Sequence, residues 1–274
     1  MGFIFDKFIF GKFPFGKTYI KTILREIRGT LSRFVAIFAI VALGVGFLAG
    51  LLATTPDMKL SVDHYFRETN MMDIFIKATM GITEGDVEAL AALDETALVL
   101  PAYVMDSLVR TDLDEVLAAR VYGLPLDDAD SAAFVNKLEL VAGRFPERDD
   151  ECLVQQGGGY FEDFRIGDTF SPLTPTVAVG GGDEQEIYRV GAYRVTGIVK
   201  SPLFISFDRE PAGIGNGRLG TALYVQKSSF ALPVYTDVYL TLAGGARFTA
   251  FTDPYQRFVD AAVTTIEALG NSTG

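Results

Sequence analysis

The 274-residue chain has no tryptophan, one cysteine and one histidine. The single Cys152 excludes an internal disulfide. An exported domain without disulfides fits a bacterial surface better than a eukaryotic secretory route. The single His64 excludes a cluster of histidines around a metal, and between Asp63 and Tyr65 it reads as a surface or cap residue. A Cys152 nucleophile would have only His64 as an imidazole base. Beside Leu153-Val154 the thiol reads instead as a small buried hydrophobe at a strand entry.

Phosphate-binding loops are missing too. There is no G-x-x-x-x-G-K-[ST] segment, which excludes nucleotide binding by that device. Residues 215–220 do spell G-x-G-x-x-G. A dinucleotide loop needs a strand before it and a helix after it, and here the strand-like Thr221-Ala222-Leu223-Tyr224-Val225 follows. A turn entering a strand is the better account. The acidic pairs Asp127-Asp128 and Asp149-Asp150 sit among turn residues without calcium-ligand spacing. The reading is therefore of a chain without catalytic, metal-binding or cofactor-binding residues, and so not an enzyme.

What the sequence does have is residues 34–53, FVAIFAIVALGVGFLAGLLA, without a single charge. At about 1.5 Å rise per residue such a helix spans about 30 Å, the hydrocarbon thickness of a bilayer. Within lipid the backbone must satisfy its own hydrogen bonds, and a helix does so within one segment. The stretch is longer than the apolar core of a signal peptide, its n-region runs to residue 33, and Leu51-Leu52-Ala53 is a poor cleavage site. An uncleaved transmembrane helix is expected, a late cut near Ala53-Thr54-Thr55 being the alternative.

Charge assigns the sides. Residues 1–33 carry seven basic and two acidic residues, a net of +5; the remainder carries 17 basic and 33 acidic, a net of −16. Basic flanks stay cytoplasmic. The N-terminus is expected in the cytoplasm and residues 54–274 outside the cell membrane. The acidic exterior argues against nucleic acid as a partner.

Residues 3–15, FIFDKFIFGKFPF, place aromatic rings beside ammonium groups, a composition suited to the membrane–water boundary or to a disordered leader. Ile20, Ile23, Leu24, Ile27 and Leu31 then follow helical spacing, while Lys17, Lys21, Arg25 and Arg28 fall on another face. Such a basic amphipathic helix can lie on the inner leaflet or simply set topology. Within the span, Gly46 and Gly50 form a small-xxx-small pair that lets another helix approach closely.

The remaining residues are read as mixed α and β. Residues 57–68 either continue the membrane helix or form a new one started by Thr55-Pro56-Asp57. Strands are expected over 72–78, 97–110, 116–122, 190–199, 221–226 and 234–242, and short strands with Gly-rich turns at 157–159 and 180–182. Thr83-x-x-Asp86 opens a helix running to Leu93, in the manner of a loose capping box; residues 126–140 are partly helical, 201–219 irregular, and 254–269 helical. The tripeptide Asn271-Ser272-Thr273 matches a glycosylation sequon, a pattern common by chance.

Several stretches, in order, carry a family resemblance. Residues 33–47 resemble the first membrane helix of FtsX-like ABC transporter permeases, and residues 53–58 continue the likeness. Val141-Ala142-Gly143-Arg144-Phe145-Pro146 with Glu151-Cys152-Leu153-Val154 is similar to a G-R-x-P…E-x-x-[VL] element of that family, and residues 164–169 and 193–199 are similar to the strands that follow. Together they resemble a MacB-like periplasmic core domain.

The resemblance implies an α+β fold: a basic cytoplasmic segment over 1–33, a membrane helix over 34–53, and an extracytoplasmic domain over 54–270 with a β-rich lobe at about 137–200. It implies a permease subunit working with a separate cytoplasmic ABC ATPase, with a second permease copy or further permease helices, and with the lipid bilayer. Its implied activity is to couple ATP hydrolysis to motion of the outer domain, for export or extraction of lipoproteins, peptides or antibiotics, or for control of cell-wall hydrolases. The family has further membrane helices that do not occur here, so the chain is expected to be the N-terminal portion, with 271–274 a truncated end. The other reading, from a different class, is a single-pass sensor or adaptor whose outer domain binds a protein partner.

Overall fold

A computed structural model describes residues 17–158, 161–173, 176–178, 184–205 and 210–273. The aromatic segment 3–15 and the glycines at 159 and 180–182 lie outside the described residues. Two compact units divide the chain, residues 1–58 and 59–274.

In the first unit, α1 spans Lys17–Gly29 and α2 begins at Leu31. α2 is a single helix over Leu31–Glu68, and of the two readings left open at residue 57 it takes the continuous one, running on through Pro56. Ahead of that proline, the Thr54 hydroxyl donates to the Gly50 carbonyl at 2.8 Å. Among the described residues α2 is the one helix long and apolar enough to cross a membrane, and its apolar window is wholly exposed.

The second unit is strand-rich. β1 (Ile74–Ile82), β2 (Thr96–Thr111), β3 (Val116–Leu124), β4 (Glu139–Gly143), β5 (Glu151–Gln155), β6 (Thr169–Pro172), β9 (Tyr193–Lys200), β10 (Thr221–Gln226) and β11 (Tyr235–Leu242) make one nine-stranded sheet. β7 (Thr176–Ala178) and β8 (Glu184–Glu186) pair apart from it. α3 (Glu84–Ala91) follows β1, and α4 (Asp253–Thr273) closes the chain. The α3 start is the expected capping box: the Thr83 hydroxyl accepts from the Asp86 amide, and the Asp86 carboxylate accepts from the Thr83 amide.

The long β2 belongs to two layers. Its first half pairs with β11, in the order β1-β11-β2, and α3 and α4 supply the apolar side chains packed with that sheet: Val87, Leu90, Ala262 and Ile266 meet Ile74, Val238 and Leu240. Its second half pairs with β3, and the ladder continues through β10, β5 and β9. β6 then pairs with both β9 and β2, so the ladder closes on itself as a six-stranded barrel, which removes two free edges.

The barrel draws strands from both sides of the 137–200 segment, since β2, β3 and β10 lie outside it and β5, β6 and β9 within it. Its interior rows are Val121–Leu223–Val154 and Val225–Cys152–Val195, all at most 1% exposed. Cys152 thus fills the small buried position expected of it.

The partial helix expected within residues 126–140 is short. Only a 3₁₀ turn forms, over Leu126–Asp128. Asn136 takes a left-handed backbone, φ 55°, which no helix accommodates. Phe134, Val135 and Leu138 instead pack into the core shared with Tyr122, Leu153 and Tyr224, and this tertiary burial sets the local path.

Candidate functional site at the end of the long helix

A dense polar construction in the second unit surrounds residues 59–73. Asp63 and Arg67 lie one turn apart on α2 and pair at 2.8 Å. Both also grip the loop before α4. Asp63 accepts from the Ala250 amide at 2.8 Å, and Arg67 donates to the Ala246 carbonyl at 2.6 Å and the Phe248 carbonyl at 2.8 Å. The Lys59 ammonium donates to the Phe251 carbonyl at 3.0 Å, and the rings of Phe66 and Phe251 lie 5.7 Å apart. Burial works to raise the Asp63 pKa, but the bonds from Arg67 and Ala250 outweigh it and hold the carboxyl below its ordinary value.

The helix end is stitched to a second loop. Asn70 donates to the Ala132 carbonyl at 2.6 Å and the Phe134 carbonyl at 3.1 Å, and Asn136 accepts from the Met72 amide at 2.9 Å. Asp73 then ties three elements together: it accepts from the Leu242 amide at the end of β11 and from the Tyr255 hydroxyl on α4. Burial, followed by the Asp73 bond, pushes the Tyr255 hydroxyl pKa well up, so that bond persists across the physiological range. Around these groups is a cavity of about 550 Å³. It is lined by the paired Asp63, Arg67 and Asp73 together with Phe66, Phe248 and Phe251, groups already engaged with one another or with the neighbouring loop.

A second polar group sits across the sheet. Arg120 clasps Asp106 in a fork at 2.7 and 3.1 Å, donates to the Pro211 carbonyl at 3.0 Å and lies 3.5 Å from Glu210. Burial opposes ionisation of Asp106, yet Arg120 keeps its pKa below the usual value. Buried Asp237 is raised by burial, its neighbour Thr236 supplying a hydroxyl donor.

The residues singled out from the sequence fall as follows. Lys17, Lys21, Arg25 and Arg28 all lie on α1, where their spacing places them along one side. Lys21, Arg25 and Arg28 are exposed. Gly46 and Gly50 lie on α2, and a methyl group at either would meet nothing within 4 Å. The structure does not bring these two sets into one site. His64 is exposed on α2, 3.3 Å from Glu68. Cys152 is enclosed in the barrel, where burial raises its thiol pKa far above the ordinary value. In the G-x-G-x-x-G segment Gly215 and Gly217 have φ 63° and 75°, and the turn they make leads into β10, as expected of a strand entry. Among the described residues no group of three or more His, Cys, Asp or Glu is placed to hold a metal ion.

Sequence reasoning missed the joint. Asp63, Arg67 and Asp73 are scattered charges in the sequence, and their shared targets are backbone carbonyls and amides about 170–190 residues away.

No family model matches the chain, and no curated protein matches it. Among solved structures it is similar to the periplasmic region of MacB from Actinobacillus actinomycetemcomitans, at 13% identity and TM-score 0.39, over 72% of this chain and 75% of that one. It is also similar to the extracellular domain of the noncanonic ABC-type transporter YknZ from Gram-positive bacteria. There the identity is 16% and the TM-score 0.37, over 68% of this chain and 87% of that one.

Proposed function

We propose that this chain is the membrane-anchored part of an ABC transporter permease subunit. In this reading α2 spans the bacterial cell membrane with the N-terminus in the cytoplasm. Residues 54–274 stand outside it, and a separate cytoplasmic ATPase supplies the energy. The observation that carries the reading is the pairing of one uncharged, fully exposed helical window with a basic flank before it and an acidic strand-rich unit after it. The clamp of Asp63, Arg67 and Asp73 supports it: the end of α2 is fixed to the loop before α4, to β11 and to α4 itself, so displacement of that end would move the sheet rather than a loose linker. The basic side of α1 would lie on the inner leaflet, and Gly46 and Gly50 would face another permease helix. The cargo, in this reading, is a lipoprotein, peptide or antibiotic.

Co-purification of the protein from its own membrane tests the proposal. An ATPase is expected to accompany it, and deletion of residues 17–28 is expected to abolish export. Absence of any ATPase, together with unchanged export in the deletion, would overturn the reading.

A further inference from the structure

Val238 and Leu240 of β11 pack with α3 and α4, so Asp237 and Tyr239 turn to the opposite face of the sheet. On that face is a cavity of about 240 Å³. It is lined by Phe75 and Lys77 from β1, Asp237 and Tyr239 from β11, Tyr122 from β3 and Glu210 from the segment before β10. Clefts that take drug-sized molecules enclose roughly 300–1,000 Å³, so an occupant here is smaller.

Asp237 is the unusual group in this lining. It is 1% exposed and accepts from the hydroxyl of its neighbour Thr236. Among the described residues no other donor and no cation is bonded to it. A buried carboxylate ordinarily has a charged or hydrogen-bonding partner for each oxygen. Burial accordingly raises the Asp237 pKa, against the Thr236 bond and the charges of Lys77 and Arg120, which lower it.

The cations nearby do not fill that vacancy. Arg120 is held in the fork with Asp106 and lies 3.5 Å from Glu210. Lys77 stands in register with Asp237, yet it is exposed and, among the described residues, in no ion pair. Three carboxylates, Asp106, Glu210 and Asp237, thus surround the cavity with two cations, one negative charge in excess. The rest of the lining is largely aromatic. The rings of Phe75 and Tyr239 stack at 5.6 Å, and Tyr122 meets Phe204 edge to face at 6.2 Å. Aromatic faces attract ammonium groups and also cover an apolar body.

We propose that this cavity binds a small organic amine, its ammonium seated against Asp237 and its apolar body against the rings of Phe75, Tyr122 and Tyr239. Lys77 is the competitor within the chain, since its own ammonium can serve the same carboxylate. The site does not rest on the permease reading, because every residue in it belongs to the second unit.

The test is calorimetric titration of the full chain in phosphatidylcholine nanodiscs with phenethylammonium and with cyclohexylammonium, empty nanodiscs serving as the blank. Saturable binding is expected. Phenethyl alcohol keeps the body and lacks the charge, and should bind about tenfold more weakly or worse, the difference a charge-assisted bond makes. Hydrocinnamate, an anion of similar body, should not bind. Asp237→Asn keeps the shape and should weaken the amine about tenfold or more. Lys77→Met alters an exposed side chain and should tighten amine binding, because it removes the competing cation.

No saturable binding of either amine, equal binding of phenethyl alcohol, or unchanged affinity in Asp237→Asn would each overturn the proposal. Weaker amine binding in Lys77→Met would overturn it as well. The alcohol and the Lys77→Met variant decide the matter even where Asp237→Asn fails to fold.

Discussion

Arg144 and Glu151 face each other in a fork: Nη1 of Arg144 donates to Oε2 of Glu151 at 2.9 Å and Nη2 to Oε1 at 2.6 Å. Glu151 also accepts the amide of Glu147 at 2.8 Å. The pair closes the loop between β4 and β5. This gives the Gly143-Arg144-Phe145-Pro146…Glu151 motif a physical reason, which is to hold a turn at the rim of the barrel. A similar reason holds farther along, where Arg165 donates its amide to the Asp168 carboxylate at 2.8 Å and Gly167, at φ 103°, donates to the Val195 carbonyl at 2.8 Å.

The fork makes stability depend on acid. The Arg144 bond, ahead of the Glu147 amide, lowers the Glu151 pKa to about 2, against burial. A depressed carboxylate contributes stability that is present above its unfolded value of roughly 4.3 and lost as pH falls toward the folded one. Denaturant midpoints should therefore fall between about pH 4.5 and pH 2. Glu151→Gln should lower the midpoint at neutral pH and flatten that pH window; an unchanged slope in the variant would count against the account.

Gly143 should not tolerate a side chain. Its φ is 84°, and a Cβ there would lie 2.2 Å from the Thr196 carbonyl oxygen. Gly143→Ala should cost about 2 kcal/mol or more in urea unfolding, from left-handed strain plus the backbone clash. A loss within a few tenths of a kcal/mol would show that the turn relaxes freely.

Leu223 occupies the middle of the barrel and is fully buried between Val121 and Val154. Leu223→Ala should destabilise by about 3–5 kcal/mol, the transfer loss plus the cavity left behind. Cys152 should resist iodoacetamide in the native protein and react once denaturant opens the barrel, because its thiol is enclosed and its pKa raised by burial. Labelling of the native thiol at the rate of free cysteine would contradict the closed barrel.

Arg67→Ala removes three bonds at once, to Asp63, Ala246 and Phe248. It should cost about 1–3 kcal/mol and speed hydrogen exchange across residues 244–251. If the permease reading holds, export should fall while membrane insertion stays normal, because α2 is intact.

The sequence by itself determined the parts that local chemistry controls. A run of twenty uncharged apolar residues at helix length reads as a helix able to cross a membrane, and the charge on either side of it is a matter of counting. Thr83 and Asp86 cap α3 through groups three residues apart, and the β-branched and aromatic residues of 221–226 and 234–242 are enough to mark β10 and β11. Tertiary structure decided the rest. The barrel closes because β6 bonds to two strands distant in sequence, which alternation cannot encode. Beyond the 3₁₀ turn at Leu126–Asp128, residues 126–140 follow the burial of Phe134 and Val135. The clamp at the end of α2 is made largely to backbone groups, and every residue carries those alike, so no pattern of side chains could have announced it.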